Sequence, residues 1–103
     1  MKKVLIGAVA ASALLLAGVV QANADLAKSS GCVNCHNVDT KLVGPSLKDS
    51  AAKYAGQADA ATYLAGKIKN GSKDVWGPIP MPPNTTVNDE NAKVLADFIL
   101  TLK

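Results

Sequence analysis

The sequence predicts an all-α domain with about four helices joined by loops. Three observations support this fold class. No strand-length alternation of apolar and polar residues competes with the helical spacing. Capping residues and glycine stops bracket the apolar segments. Four of the five prolines fall in one stretch, residues 71–87, where they exclude a helix and predict a loop.

The first two helices are predicted at residues 26–33 and Leu47–Tyr54. The first would carry Cys32. Ser46 is the predicted N-cap of the second helix, because its hydroxyl can accept a hydrogen bond from the first turn. Gly56 follows as the stop.

The third and fourth helices have clearer signatures. Asp59 is the predicted N-cap of the third, in which Leu64 and Ile68 lie four residues apart on one face. Gly71 would end it. Asn88 is the predicted cap of the fourth helix, which has acidic residues in its first turn. The apolar stripe of that helix comprises Val94, Leu95, Phe98, Ile99 and Leu102.

Residues 1–24 have the features of a secretory signal peptide. A short basic start precedes an apolar run over residues 4–20, and small residues at 22 and 24 suit a signal peptidase. The run is near the lower limit for a membrane-spanning helix, ~17 residues, and no basic stop-transfer flank follows it. We therefore predict export and cleavage after Ala24. Residues 25–103 then form one small domain.

Net charge gives little reason to expect a nucleic-acid partner. The full chain carries +3, and loss of Lys2 and Lys3 with the signal peptide lowers the charge to +1. The remaining residues contain neither a basic run nor basic residues interleaved with aromatic ones. The predictions are no nucleic acid and no membrane insertion after cleavage.

The segment GCVNCHNVD holds both cysteines and the only histidine of the chain, Cys32, Cys35 and His36. A disulfide between these cysteines would close almost no loop and so would stabilise little. A zinc site would need two more ligands than the segment offers. A thioredoxin-like redox pair lacks its strand and helix pattern.

The remaining interpretation is C-x-x-C-H, the attachment sequence for c-type haem. Positions i and i+3 of a helical turn share a face, so Cys32 and Cys35 can each form a thioether along one edge of the porphyrin. His36 then faces the iron as an axial ligand. The predicted cofactor is one covalently attached haem c.

Met81 is the predicted sixth ligand of the iron. It is the only thioether left after cleavage, and it lies between prolines in the loop far from Cys32. Its structural alternative is an ordinary core methionine. Thioether ligation raises the reduction potential, and a filled sixth position keeps other ligands from the iron.

Five runs of the sequence carry a family resemblance: GCVNCH, DTKLVGPSLKD, AAKYAGQ, KIKNGS and VWGPIPMPPN. They resemble the small bacterial class I cytochromes c of the cytochrome c-551/c-552 type. The resemblance extends from Leu26 to Lys103. It implies the small class I cytochrome c fold around one haem, and a soluble electron carrier of the periplasm that is not an enzyme.

The resemblance also implies roles for residues around the cofactor. The Pro45 carbonyl would accept the imidazole N–H of the axial histidine. The indole N–H of Trp76 and the ammonium of Lys67 would contact a haem propionate. The Asn84 amide would donate to the Met81 sulfur. Turn formation, core packing or surface solvation are the structural alternatives for these side chains.

The predicted partners are periplasmic or membrane redox proteins. The donor would be a quinol–cytochrome c reductase or another cytochrome, and the acceptor a nitrite reductase, a cytochrome oxidase or a peroxidase; the protein itself would be a monomer. Two alternatives remain open. A haem peroxidase or gas-binding protein would have an open sixth site, and a membrane-held subunit would keep its N-terminus uncleaved.

Partners are expected to dock on an apolar patch at the thioether edge of the haem. The patch is formed by Cys32, Val33, Pro45, Ile79, Pro80 and Pro82. The lysines nearest to it in sequence are Lys28, Lys41 and Lys48.

Overall fold

The computed structural model describes residues 23–103, so the predicted signal peptide lies outside the described residues except for its last two. The described chain is all-α, which confirms the predicted fold class. Its only extended pairing is an isolated antiparallel bridge between Ser72 and Met81. The helices are α1 (23–29), a 3-10 turn (Cys32–Asn34), α2 (Leu47–Tyr54), α3 (Ala60–Asn70) and α4 (Asp89–Leu100).

The prediction of one helix over residues 26–33 was wrong at both boundaries. Helix α1 already includes residues 23–25 and ends at residue 29, and Cys32 lies in the separate 3-10 turn. Gly31 is the physical reason at the C-terminal boundary, because its φ of 83° is left-handed and cannot continue an α-helix. The chain therefore changes direction immediately before the two cysteines.

The other three helices occur where the sequence places them. Ser46 Oγ accepts a hydrogen bond from Asp49 N at 3.0 Å and so caps α2. Asn88 Oδ1 accepts from Asn91 N at 2.7 Å and caps α4. The prediction for Asp59 was wrong in part: it occupies the N-cap position of α3, but its side chain accepts no capping hydrogen bond in the described chain.

The core is built around α4. Ala92, Leu95 and Ala96 are fully buried, and α4 packs against both α3 and α2. From α3, Leu64 and Ile68 enter this core. The predicted stripe is confirmed, with Leu95, Phe98 and Ile99 buried and Val94 and Leu102 partly so.

This packing leaves one side of α2 and α3 to border a large cavity. Gly71 ends α3 with a φ of 80° and donates its N–H to the Lys67 carbonyl oxygen at 2.8 Å. The chain then enters the proline-rich loop, which we call the distal loop (residues 71–87). None of the helices in residues 23–103 has the length and apolar character of a membrane-spanning segment.

Candidate cofactor site

A single cavity of about 560 Å³ brings the predicted site residues together. Its size falls within the range of cofactor pockets, ~300–1,000 Å³. Apolar atoms form most of its surface. The predicted residues that line it are Cys32, Cys35, His36, Pro45, Lys67, Trp76, Met81 and Asn84. These residues span 53 positions of the sequence and come from three separate parts of the fold.

Two thiols and an imidazole are presented by a short stretch of chain, the proximal segment (residues 31–45). Cys35 N and His36 N both donate to the Cys32 carbonyl oxygen, at 3.2 and 2.9 Å. This tight turn holds Cys32, Cys35 and His36 at the wall of the cavity. Both cysteines are partly buried and form no disulfide with each other, and before any attachment burial raises the pKa of the Cys32 thiol.

A backbone carbonyl fixes the orientation of the His36 ring. Its Nδ1 lies 2.8 Å from the Pro45 carbonyl oxygen, the contact that the resemblance implies. A carbonyl can only accept, so Nδ1 carries the proton and Nε2 keeps its lone pair for a metal. The ring contacts Gly44 closely, because a Cβ at that position would lie 2.5 Å from His36 Cε1.

Gly44 is a site residue that the sequence analysis missed. Any side chain there would push the imidazole away from its position. Its N–H also donates to the Cys35 carbonyl oxygen at 2.8 Å, which closes the proximal segment on itself. The available sequence indication was the glycine directly before Pro45, at the end of the same short stretch.

Met81 is held by its backbone on the distal loop. Ser72 N donates to the Met81 carbonyl oxygen at 3.0 Å, and Met81 N donates to the Ser72 carbonyl oxygen at 2.9 Å. Asn84 N donates to the Ile68 carbonyl oxygen at 2.9 Å, which ties the loop to α3. The sequence analysis missed Ser72, since a serine nine positions before a methionine carries no recognisable pattern.

The Asn84 side chain bridges two distant parts of the chain. Its Nδ2 donates to the Ser30 carbonyl oxygen at 2.8 Å. Its Oδ1 accepts from Thr86 N at 3.1 Å and from Thr86 Oγ1 at 2.8 Å. An amide nitrogen carries two hydrogens, so the predicted donation to the Met81 sulfur would use the other one and stays a prediction.

Aromatic and cationic side chains form part of the cavity wall. The rings of Tyr54 and Tyr63 lie 5.1 Å apart, and Lys67 Nζ lies 5.2 Å from the Tyr63 ring centroid. Burial, and next the neighbouring Tyr63, raise the pKa of Tyr54 to about 12. Tyr54 is therefore uncharged at neutral pH. Trp76 lines the same cavity and remains 40% exposed.

The donor set suits a macrocycle-bound metal better than a bare ion. Within residues 23–103 no group of three or more His, Cys, Asp or Glu side chains could hold a metal ion. What the cavity offers is one imidazole, one thioether and two thiols in an apolar enclosure. Such a set fits an iron porphyrin that brings four equatorial ligands of its own.

Two exposed apolar side chains line the cavity or directly follow a lining residue, and we call their position the cavity mouth. Val33 in the proximal segment is 39% exposed, and Ile79 in the distal loop is 63% exposed. Of the predicted flanking lysines, Lys41 lines the cavity, and Lys48 forms an ion pair with Asp39.

Comparisons with known proteins identify the family of this chain. The family model described as "Cytochrome c" matches residues 20–103. Cytochrome c-552 of Nitrosomonas europaea is 67% identical over 103 residues, which cover all of both chains. Cytochrome c-552 of Hydrogenobacter thermophilus is 52% identical over the full length of both chains.

Solved structures show the same similarity. The crystal structure of wild-type Nitrosomonas europaea cytochrome c552 superposes with a TM-score of 0.76 at 70% identity, and covers 78% of this chain and 99% of that one. The class 1 cytochrome MtoD of Sideroxydans lithotrophicus superposes with a TM-score of 0.65 at 34% identity, over 81% of this chain and 95% of that one.

Proposed function

Because the chain belongs to the cytochrome c family and carries one covalently attached haem c, we propose that it is a periplasmic one-electron carrier whose iron is ligated by His36 and Met81. The protein is an electron carrier and not an enzyme. The ligands, the compartment and the partners are the parts of this statement that we propose.

The observation that supports the ligand assignment is the shared cavity. Cys32 and Cys35 would form the two thioethers, and His36 and Met81, from the proximal segment and the distal loop, would fill the axial positions. The haem supplies the chemistry, a reversible change of its iron between the ferrous and ferric states. The chain supplies attachment, ligand orientation and an apolar enclosure.

Each neighbouring residue has a defined task in this proposal. The Pro45 carbonyl keeps the proton on Nδ1 of His36 and increases the basicity of Nε2. The bridge to Ser72 fixes the backbone from which Met81 extends. Trp76 and Lys67, which both line the cavity, would hold the propionates. The apolar lining lowers the local dielectric constant, which favours the less charged ferrous state.

We propose that redox partners dock on the exposed apolar residues at the cavity mouth, which include Val33 and Ile79. The charge of +1 on residues 25–103 falls to about −1 when two propionates ionise. Long-range steering would therefore be weak. Small, transient interfaces of this kind suit rapid electron exchange. Specific candidates are a quinol–cytochrome c reductase as donor, and a nitrite reductase, an oxidase or a peroxidase as acceptor.

Carbon monoxide tests the proposed function against an open-site protein. The reduced protein should not bind carbon monoxide rapidly or tightly at neutral pH, because Met81 fills the sixth position. The variant Met81→Ala is the positive control and should bind it. Rapid, tight binding by the unsubstituted protein would contradict the carrier proposal and favour a gas-binding protein or a peroxidase.

Mass spectrometry of the exported protein tests the compartment and the processing. The expected mass is that of residues 25–103 plus one haem, recovered in the periplasmic fraction. A mass that retains residues 1–24 in the membrane fraction would favour a membrane-held subunit.

A further inference from the structure

An ammonium group lies over the tryptophan of the distal loop. Lys53 Nζ is 4.6 Å from the centroid of the Trp76 ring, within the range of a cation–π contact, ~6 Å. The same ammonium is 5.9 Å from the Tyr54 ring centroid. Lys53 belongs to the last turn of α2, so this contact links α2 to a loop that starts 18 positions later.

The ammonium of Lys53 has no carboxylate partner in the ion pairs of the described residues. Those pairs join Lys48 with Asp39 and Lys69 with Asp89. The contacts described for this ammonium are with the faces of two aromatic rings, which attract a cation through the ring quadrupole. A cation above an indole also withdraws electron density from it, which makes the N–H at the ring edge a stronger donor.

We propose that Lys53 is a positioning residue of the cofactor site, which holds the Trp76 indole in one orientation and strengthens its N–H as a donor to the haem carboxylate. This inference rests on the proposed role of Trp76 as a propionate contact. Because Lys53 is not part of the cavity lining, it acts through Trp76.

Two cationic side chains contact aromatic rings of this wall. Lys67 on α3 lies over Tyr63, and Tyr63 packs against Tyr54, the neighbour of Lys53. The two lysines thus reach this wall from different helices. Loss of either positive charge favours the ferric state, since a cation destabilises the more positive iron. Only Lys53 acts through the indole.

The test compares five variants by two readouts. Lys53→Met keeps the length of the side chain and removes the charge, and Lys53→Arg keeps a cation that can stack on the ring. Lys73→Met is the matched control, because it removes an exposed lysine of the distal loop that takes part in none of the described cation–π contacts. Trp76→Leu, alone and with Lys53→Met, completes a double-mutant cycle.

The first readout is the hydrogen-exchange rate of the Trp76 indole N–H by NMR, and the second is the reduction potential. Lys53→Met should speed exchange about two- to fivefold, the ratio that one exposed cation–π contact supports. It should also lower the potential more than Lys73→Met does. Lys53→Arg should restore both values, and in the Trp76→Leu background the extra fall in potential should disappear.

Two results would overturn the proposal. One is an exchange rate in Lys53→Met equal to that in Lys73→Met. The other is faster exchange with a potential no lower than that of the control, because the contact would then serve the loop alone. A wrong ligand assignment would give a different result. In that case Met81→Ala would leave the reduction potential unchanged, independently of the outcome for the Lys53 variants.

Discussion

The proximal segment and the distal loop supply opposite halves of the proposed site by different means. In the proximal segment, hydrogen bonds between close neighbours hold Cys35, His36 and Gly44, none more than nine positions from its partner. In the distal loop, Asn84 reaches back 54 positions to Ser30, and Trp76 contacts a lysine of α2. One half is shaped by local sequence, and the other depends on the completed fold.

This difference predicts which half of the site loses its contacts first when the protein partly unfolds. Local contacts survive partial unfolding, whereas contacts across the chain are lost when any of the elements separates. Variants of the proximal segment should therefore affect cofactor attachment. Variants of the distal loop should affect ligand strength while the haem stays bound.

The largest expected effect comes from the thiols. Cys32→Ala combined with Cys35→Ala should abolish covalent haem and leave much of the chain unfolded, because an apolar cavity of about 560 Å³ would lack its occupant. A domain has only ~5–15 kcal/mol of stability to lose. The measurements are haem retention in denaturant and far-ultraviolet circular dichroism. Haem that stays attached in the double variant would refute the thioether assignment.

Met81→Ala should remove the iron ligand of the distal loop and leave the proximal segment intact. Haem stays attached, the iron binds carbon monoxide, the sulfur-to-iron absorption band disappears and the reduction potential falls. Thr85→Ala, a change in the same loop at the same cavity, is the control and should keep the band. If the band and the potential persist without Met81, another group is the ligand.

Asn84→Ala should weaken the bond between Met81 and the iron without removing this ligand. The variant loses the bond to Ser30 and the predicted bond to the Met81 sulfur, so imidazole should displace the methionine ~10–100-fold more easily. Thr86→Val removes only a hydroxyl that donates to Asn84 Oδ1 and should change displacement far less. Equal imidazole affinity in Asn84→Ala and the parent protein would remove Asn84 from the ligand network.

Val33→Glu and Ile79→Glu place the same change at the mouth of each half. Both should slow electron transfer to the physiological partner several-fold, with unchanged haem spectra, because a buried charge is costly in an apolar interface. Thr62→Glu, exposed on α3, is the control. Moderate salt should alter the rate only modestly. If neither variant slows transfer, docking occurs on another face, and a steep salt dependence would indicate that lysine steering dominates.

The smallest effect concerns Asp74, whose φ of 59° is left-handed. Asp74→Gly should raise the free energy of unfolding by up to about 1 kcal/mol, because glycine adopts this conformation without steric cost. Asp74→Ala removes the carboxylate but keeps the strain, so it should bring no gain in denaturant unfolding. A stabilised alanine variant would mean that the carboxylate, and not the backbone, carries the cost.

Sequence reasoning succeeded where the determinants are local. The caps Ser46 and Asn88 and the stripe of α4 are patterns of neighbouring residues, and each lies where it was predicted. The three side chains of the C-x-x-C-H segment line one cavity, and their role as haem attachment and ligand stays a prediction. The first helix failed because one glycine, Gly31, was not recognised as a left-handed residue. Glycine occurs both inside helices and in turns, so its presence at position 31 alone does not show whether the helix continues or ends there.

The features that sequence could not provide are contacts between distant residues. The hydrogen bond from Asn84 to Ser30 and the position of Lys53 over Trp76 depend on how the distal loop packs against the rest of the chain. No pattern of neighbouring residues encodes them. Gly44 lies between these cases, since its closeness to His36 follows from a local turn whose path had to be seen.

The pair of backbone hydrogen bonds between Ser72 and Met81 has a consequence for ligand competition. Under the proposed ligation, a thioether that leaves the iron remains anchored through its own main chain, so its return is an intramolecular step. The effective concentration of such a tethered group can reach millimolar values or more. A soluble competitor must exceed that concentration, weighted by relative affinity, before it occupies the iron for most of the time.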